Sequence, residues 1–265
     1  MFEVIEKNIL GKNEKCEDLI VITENYVVVA DGVTSKGNEL INGKTSGEVA
    51  SELIKEYLTL YKMGKSPSRF FTGLSMFFAD YIRTNALEHN KPKASIIVYN
   101  DEVQEIWNYG DCRCLVDGEY YSNRKEIDNL MGDLRSFLIT CYIEGGKQVE
   151  EILQCDSSRQ MIIPFIRQQS ILENKKCDYG YPVVNGDQIV EEYIRTINVR
   201  NNSEVILATD GYPKILSTLD ESEMYLSTIL QEDPLMYRIH KETKGMVCGN
   251  RSFDDRAFVR LRLST

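Results

Sequence analysis

Predicted strands occur in blocks, and helical stretches lie between the blocks rather than between single strands. The strands are predicted at residues 3–9, 19–23, 26–30, 94–99, 103–109, 112–116, 120–121, 181–184, 193–199, 204–209 and 257–263. Strict alternation of strand and helix would indicate a parallel sheet, whereas blocks of strands favour antiparallel sheets, with 94–121 as one meander. The sequence therefore predicts an α+β fold with mostly antiparallel sheets.

Helical stretches separate these blocks, and no linker divides the chain. Apolar residues recur at helical spacing over 45–63, a second helix is predicted over 66–87, and helical sequence fills roughly 213–245. Residues 123–176 are polar and favour helix without any strong strand. Because no long stretch rich in Pro, Gly or Ser interrupts the sequence, we expect one domain over 1–265, with a divergent helical segment at about 123–176.

The charge balance argues against polyanionic partners. The 265 residues carry a formal net charge of -10, and a surface of this sign repels nucleic acid and anionic membranes. Residues 1–10 mix Glu3, Glu6 and Lys7 into their apolar positions, which is not the pattern of a signal peptide. The densest apolar patch, 70–78, is interrupted by polar residues and cannot span a bilayer. We therefore expect a soluble, cytoplasmic protein with no nucleic-acid or membrane partner.

An aspartate stands at the end or the mouth of an apolar strand in four places. These aspartates are Asp31, Asp111, Asp210 and Asp254. Asp31 and Asp210 share one pattern, since each follows an apolar run and precedes a glycine. A further acidic pair, Glu17-Asp18, directly precedes a predicted strand. Because strand ends are rigid, these side chains can converge at one edge of a sheet.

Clustered carboxylates need either a cation or separate structural roles. Carboxylates that are brought together repel one another unless a positive charge neutralises them. Oxygen ligands without nearby His or Cys suit Mg²⁺ or Mn²⁺, and two such ions can activate a shared water to attack phosphorus. Asp-Gly is also a common turn dipeptide, so a turn or a cap stays an alternative for each aspartate alone. The recurrence of the pattern favours a metal site.

Taken in order, the motifs resemble those of the metal-dependent protein phosphatases of type 2C, the PPM family. The family's Glu-Asp pair before an early strand is matched by Glu17-Asp18, and its strand ending in Asp-Gly by Asp31-Gly32. Its Gly-Asp-x-Arg motif is matched by 110–113, its late Asp-Gly strand end by 207–211, and its closing acidic pair by 254–255. The order and spacing agree from residue 17 to residue 263. The chain is therefore similar to a divergent bacterial-type member.

The resemblance implies a four-layer α-β-β-α sandwich of two mostly antiparallel sheets, with metals at one end. It implies two Mn²⁺ or Mg²⁺ ions, a weaker third ion, and hydrolysis of phosphoserine or phosphothreonine in a phosphoprotein by a metal-bridging hydroxide. Asp31 would bridge two ions, Gly32 would contribute its carbonyl oxygen, and Asp31 and Asp210 would be the catalytic carboxylates. The metal ligands that the resemblance implies are Glu17, Asp18, Asp31, Gly32, Asp111, Asp210 and Asp254.

The residues expected to handle substrate depart from the family pattern. The family has a phosphate-binding Arg four residues before the Glu, and this chain has Asn13 at that position. Lys12 or Lys15 is the predicted substitute. A lysine ammonium group acts as a point charge and does not replace the bidentate hydrogen bonding of an arginine guanidinium group. Val33 follows Asp-Gly, as apolar residues do in bacterial members, and Asp255 replaces the family's Asn. The predicted function is a metal-dependent serine/threonine phosphatase. The alternative is a phosphatase-like domain with weak or no catalysis that binds or regulates a partner.

A P-loop nucleotide-binding protein is a less favoured alternative from another class. Residues 43–46 read Gly-Lys-Thr-Ser before a helix, but five residues separate Gly37 from Gly43 where a P-loop has four. The chain also lacks repeated strand–helix units. One other lysine-containing run, 241–244, is interpreted as an ordinary charged face.

Overall fold

The computed structural model describes residues 1–34 and 39–264, and this part of the chain forms ten strands and six α-helices. The strands are β1 (Phe2–Leu10), β2 (Leu19–Ile22), β3 (Tyr26–Gly32), β4 (Ala94–Asn100), β5 (Glu105–Tyr109), β6 (Arg113–Val116), β7 (Glu119–Ser122), β8 (Arg195–Asn198), β9 (Glu204–Ala208) and β10 (Arg256–Leu263). The helices are α1 (Ser46–Leu60), α2 (Pro67–Thr84), α3 (Glu126–Glu144), α4 (Val149–Gln154), α5 (Ser157–Gln168) and α6 (Leu219–Glu232).

Two five-stranded antiparallel sheets lie at the centre of the fold. The first has the strand order β1-β10-β9-β6-β7 and the second the order β2-β3-β4-β5-β8. Helices α1 and α2 pack on the outer face of the second sheet, and α6 begins at Leu219, which packs on the outer face of the first. The predicted α+β fold, a four-layer α-β-β-α sandwich, is confirmed.

Side chains of β3 alternate between two apolar cores. Val27 and Val29 pack between the two sheets, whereas Val28 and Ala30 pack against α1 and α2. Successive side chains of a strand point to opposite faces, so Asp31 continues the series that lies between the sheets. Burial of the strand thus brings a carboxylate to the end of the seam between the sheets.

The prediction of one meander over 94–121 is wrong. Strands β4 and β5 pair within the second sheet, but the chain then crosses at Gly110-Asp111, and β6 and β7 belong to the first sheet. Gly110 has a φ of 129°, and a Cβ added there would lie 2.4 Å from the Ser95 Cβ. The crossing therefore requires glycine. The local pattern does not encode it because the choice of partner strands is a tertiary contact.

Two other predicted elements are wrong in extent. Residues 181–184 form isolated bridges rather than a strand. Within the predicted helical stretch 213–245, the helix is limited to Leu219–Glu232. Pro234 cannot continue a helix, and the carboxylate of the buried Asp233 accepts the backbone N–H groups of the three residues 237, 238 and 239. This local bonding replaces helix with a compact loop.

The divergent segment, 123–176, contributes α3, α4 and α5. Met131 and Ile162 pack α3 against α5, while Ile139 of α3 packs against Leu235 in the loop that follows α6. The segment thus forms a helical layer over that loop. Across residues 1–34 and 39–264, none of the helices has the length and apolar character that a membrane crossing requires.

Candidate functional site

One end of the sandwich carries an acidic cleft of about 340 Å³. Its walls come from the ends of β3 and β9, from the crossing before β6, and from the loops that precede β2 and β10. The predicted ligands that line it are Glu17, Asp31, Gly32, Asp111, Asp210 and Asp254. Segments that are distant in the sequence thus bring their carboxylates into one space.

The first turn of α1 lies directly on the end of β3 because both elements carry glycine there. A Cβ on Gly32 would lie 2.4 Å from the carbonyl oxygen of Gly47. A Cβ on Gly47 would lie 2.6 Å from the carbonyl oxygen of Gly32 and 2.8 Å from the carboxyl carbon of Glu17. Larger side chains at either position would force the strand end, the helix start and the Glu17 carboxylate apart.

Glu17 is buried at the cleft and is held from both sides. The hydroxyl groups of Thr34 and Thr45 donate to its two carboxylate oxygens. Its backbone N–H donates to Asp255 at 3.0 Å, and its carbonyl oxygen accepts a hydrogen bond from Ser51. Thr45 also caps α1, so one residue both begins the helix and orients the carboxylate.

The Gly-Lys-Thr-Ser run at 43–46 has roles other than phosphate binding. Lys44 pairs with Glu52 on the exposed surface, and the Thr45 hydroxyl donates to Glu17. Gly37, which would begin a P-loop, lies outside the described residues. A P-loop also requires a parallel sheet, whereas the paired strands described here are antiparallel. The fold therefore does not support the nucleotide-binding alternative.

Asp111 lies on the short crossing between the two sheets. The Ser95 hydroxyl donates to one of its carboxylate oxygens, and Lys125 Nζ lies 2.6 Å from the other. Lys125 Nζ also lies 5.3 Å from the centre of the Tyr181 ring. Burial would raise the pKa of Asp111, but the Lys125 ammonium group and the Ser95 hydrogen bond lower it. The chain's own cation therefore neutralises this carboxylate.

Asp210 and Asp254 lie at the same edge of the first sheet. Asp210 follows β9, and Asp254 precedes β10, its neighbour in that sheet. Lys244 Nζ forms an ion pair with Asp254 Oδ2, and Lys12 Nζ lies 3.8 Å from Asp254 Oδ1. Burial would raise the pKa of Asp254, but Lys244 and Lys12 lower it.

Asp31 and Asp210 carry the charge that the cleft compensates least. Burial, and then repulsion from Asp210 and Asp18, hold the pKa of Asp31 well above its usual range. Burial, and then repulsion from Asp111 and Asp254, raise the pKa of Asp210 to about 7. A raised carboxyl pKa means that the surroundings stabilise the ionised form too little. Electrostatic attraction would therefore favour a bound cation most strongly beside Asp31 and Asp210.

Asp18 lies behind the cleft and not in its described lining. Its Oδ2 accepts a hydrogen bond from the Thr209 hydroxyl at 2.7 Å, whereas its Oδ1 is buried without a hydrogen-bond partner. Burial raises the pKa of this carboxyl despite the Thr209 hydrogen bond. A buried oxygen without a partner is uncommon in folded proteins and fits a place that a water or an ion completes.

Asp255 fixes the loop before β2 to the start of β10. Its Oδ1 accepts the Lys12 backbone N–H at 2.7 Å, and its Oδ2 accepts the Glu17 backbone N–H at 3.0 Å. Lys12 Nζ lies 3.3 Å from the same Oδ2 and neutralises the added charge. A carboxylate at this position thus satisfies two backbone donors with two oxygens, which a single amide oxygen cannot do in the same way.

The two lysines predicted to contact phosphate have different positions. Lys12 lines the cleft, where its Nζ lies 3.8 Å from the carboxylates of both Glu17 and Asp254, and its side chain is 27% exposed. Lys15 pairs with Glu48 of α1 at 3.3 Å and is not among the residues described as lining the cleft. The structure therefore brings only one of the two into the site.

Lys125 and Lys244 also line the cleft, and the sequence reasoning missed both. The interpretation of 241–244 as an ordinary charged face is wrong for Lys244, because this side chain turns into the cleft and pairs with Asp254. No spacing or motif marks either lysine. The one available signal was the excess of predicted carboxylates over predicted cations, which calls for counter-ions from elsewhere in the chain.

The donor set suits a hard divalent cation, but its present partners are ammonium groups. Carboxylate and carbonyl oxygens without imidazole or thiolate are the ligands that Mg²⁺ and Mn²⁺ prefer. Among the residues that the structure describes, no three His, Cys, Asp or Glu side chains are grouped so that they could hold an ion. Lys244 and Lys125 lie beside Asp254 and Asp111 instead. The residues fit such an ion in their chemistry, and an ion that bound would replace contacts now made by lysine.

Comparison with known proteins identifies the fold. No protein-family model matches the sequence, and no curated protein matches it. The solved catalytic domain of the serine/threonine protein phosphatase PstP, in complex with 2 manganese ions, is 14% identical with a TM-score of 0.50, over 100% of this chain and 98% of that one. A variant of a bacterial serine phosphatase is 15% identical with a TM-score of 0.50, over 100% of this chain and 97% of that one. The chain therefore has the fold of the PPM-type serine/threonine phosphatases, and the resemblance that its motifs indicate is confirmed at the level of the fold.

Proposed function

We propose that this chain is a metal-dependent phosphatase that hydrolyses phosphomonoesters, with phosphoserine and phosphothreonine of proteins as its substrate class. The observation that carries the proposal is the convergence of Glu17, Asp31, Asp111, Asp210 and Asp254 on one cleft of a phosphatase-type sandwich. The PstP domain of similar fold was solved with 2 manganese ions. That finding supports a divalent metal as the cofactor, and we propose two Mn²⁺ or Mg²⁺ ions with a weaker third.

The residues of the cleft would supply ligands and orientation. When bound, Mn²⁺ or Mg²⁺ would lower the pKa of a water molecule and make it a nucleophile for phosphorus. Asp31 and Asp210 would hold the ions because their charge is the least compensated in the cleft. Thr34 and Thr45 would keep the Glu17 carboxylate in one orientation through the hydrogen bonds that they donate to it.

Lys12 is the residue that we propose for contact with the substrate phosphate. It lines the cleft and is partly exposed, as a group that meets an incoming anion must be. Asn13, at the position of the family's Arg, accepts the Lys15 backbone N–H in a local turn at 2.9 Å. An ammonium group contacts phosphate as a point charge, so we expect weaker and less directional binding than a guanidinium group gives.

Hydrolysis of p-nitrophenyl phosphate by the wild-type protein, with Mn²⁺ and with EDTA, tests the proposal. We expect turnover only with Mn²⁺, and we expect Asp31→Asn and Asp210→Asn each to lower it by at least about a hundredfold. Asp80→Asn is the matched control, because Asp80 forms an exposed pair with Arg83. Turnover unchanged in both cleft variants would contradict the assigned site.

A partner-binding domain with weak or no catalysis is the second candidate. Two observations favour it: Lys244 and Lys125 already pair with Asp254 and Asp111, and Asn13 replaces the guanidinium group. In that case the folded wild-type protein would show no Mn²⁺-dependent turnover. The same assay therefore separates the two candidates.

A further inference from the structure

The loop between α6 and β10 brings a lysine to the acidic cleft. Lys244 Nζ pairs with Asp254 Oδ2, and the Lys244 side chain is 34% exposed. Lys12 approaches the other oxygen of Asp254 at 3.8 Å. Asp254 therefore has an ammonium group near each oxygen, whereas Asp31 in the same cleft has no ion pair among the described residues.

Three arginines hold the backbone directly before this lysine. Arg124 donates to the Lys241 carbonyl oxygen at 2.7 Å and to the Glu242 carboxylate at 3.0 and 3.2 Å. The buried Arg135 donates to the Glu242 carbonyl oxygen at 3.1 Å, and Arg159 donates to the Thr243 carbonyl oxygen at 2.6 Å. All three arginines belong to the segment 123–176. This segment therefore fixes the position from which the lysine side chain reaches the cleft.

A glycine on α3 lets the helix touch the same loop. A Cβ on Gly132 would lie 2.3 Å from the Lys241 carbonyl oxygen. The backbone of residues 241–243 is thus in contact with α3 as well as bonded to three guanidinium groups. The packing of the segment 123–176 therefore positions Lys244 beside Asp254.

We propose that Lys244 is an internal counter-ion of Asp254 that competes with a divalent cation for this carboxylate. The inference rests on the proposed metal-dependent function and adds a control of metal affinity to it. A divalent cation and an ammonium group repel each other when both lie at one partly buried carboxylate. Metal binding at Asp254 therefore requires Lys244 to leave, and the metal-free cleft is stabilised while Lys244 stays. Contacts that hold residues 242–243 in place oppose metal binding.

Mn²⁺ affinity of the protein, measured from the electron paramagnetic resonance signal of free Mn²⁺, tests the inference. Lys244→Met keeps an apolar chain of similar length without the charge. We expect this variant to bind Mn²⁺ at least about tenfold more tightly than wild type, as removal of one nearby like charge predicts. Lys244→Arg keeps the charge and should bind Mn²⁺ as wild type does. Lys241→Met is the control, since Lys241 pairs with Asp133 at an exposed site.

Thermal melting gives a second readout that does not depend on turnover. In EDTA, Lys244→Met should melt at a lower temperature than wild type, because Asp254 loses its closest cation. Mn²⁺ should raise the melting temperature of this variant more than that of wild type. If Lys244→Met does not fold, Lys244→Gln, which keeps a polar group in the cleft, takes its place in both measurements.

Equal or weaker Mn²⁺ binding by the folded Lys244→Met variant would overturn the inference. Loss of turnover with unchanged Mn²⁺ affinity would overturn it too, since Lys244 would then act on substrate. A wild-type protein without turnover would contradict the proposed function, while tighter Mn²⁺ binding by Lys244→Met would still support the counter-ion role. The two ideas can therefore fail separately.

Discussion

Single glycines determine which carboxylates can meet in the cleft. Gly110 is the clearest case, because its φ of 129° is strained for other residues and its Cα lies against β4. The Ser95 hydroxyl on β4 donates to the carboxylate of the next residue, Asp111. The glycine therefore does more than allow a turn, since it sets the distance between Asp111 and the strand that orients it.

Replacement of Gly110 by Ala should destabilise the fold and displace Asp111. The added Cβ would lie 2.4 Å from the Ser95 Cβ, and the backbone would be strained, so we expect a loss of about 3 kcal/mol or more in the free energy of unfolding. Urea denaturation measures this change. Gly64→Ala is the control, because a Cβ there meets nothing within 4 Å. Equal stability of both variants would contradict the close contact at Gly110.

Asp255 shows how a departure from the family pattern is compensated locally. Its two oxygens accept the backbone N–H groups of Lys12 and Glu17, and the Lys12 ammonium group lies beside it. Asp255→Asn would turn an NH₂ group toward one of these donors. We therefore expect a loss of about 1–3 kcal/mol in the free energy of unfolding, measured by urea denaturation. Asp178→Asn, at an exposed position, should change it little, and an equal loss in both would rule out the specific contact.

Helix α3 is joined to the loop after α6 by one buried guanidinium group. Arg135 is fully buried and donates to Asp156 at 2.6 and 3.0 Å and to the Leu235 carbonyl oxygen at 2.8 Å. One planar side chain therefore connects α3 and the start of α5 with the loop that carries Lys244. A lysine at this position could not make these contacts together, because an ammonium group lacks the planar array of N–H donors that a guanidinium group has.

Loss of this guanidinium group should loosen helices α3 to α5 as a unit. We expect Arg135→Met to lower the free energy of unfolding by about 3–5 kcal/mol, because it leaves Asp156 without its cation, and we expect faster proteolysis within residues 234–246. Arg83→Met is the control, since that side chain is 79% exposed and pairs with Asp80 on the surface. Proteolysis of the loop at the wild-type rate would contradict the role assigned to Arg135.

The elements with strong local patterns could be predicted from the sequence. The apolar run 27–30 and the helical spacing after Thr45 correspond to β3 and α1. The continuous run fits a strand that is buried on both faces, and the helical spacing fixes which face of α1 is buried. The crossing at Gly110 could not be predicted, because the change of sheet depends on which strands pair. The loop after Asp233 could not be predicted either, because hydrogen bonds from its backbone to one buried carboxylate leave no periodic pattern in the sequence.

The acidic side of the cleft could be predicted, whereas its basic side could not. Strand ends such as Asp31 and Asp210 are marked by an apolar run followed by glycine. Lys125 and Lys244 reach the cleft from the beginning of α3 and from a long loop, where lysine is ordinary. Their positions depend on the packing of the segment 123–176, for which the sequence predicts only polar helices.

The cleft lies where the two sheets meet, so its charge acts on the whole sandwich. Asp31 ends a strand of the second sheet, and Asp210 follows a strand of the first. Repulsion between them opposes the contact of the sheets that the apolar seam stabilises. The same arrangement that would favour a bound cation thus lowers the stability of the metal-free protein, as expected where function and stability compete.

Asp31→Asn should therefore stabilise the metal-free protein while removing its response to metal. In EDTA at pH 7 we expect the variant to have a higher free energy of unfolding than wild type, because Asn removes a carboxyl whose pKa burial and repulsion from Asp210 hold well above its usual range. Wild type should gain about 2.7 kcal/mol when Mn²⁺ is present at a hundred times its Kd, and the variant should gain much less. Urea denaturation with EDTA or Mn²⁺ measures both quantities, and Asp80→Asn should behave as wild type. A variant less stable than wild type in EDTA would mean that Asp31 has a cationic partner in the metal-free fold.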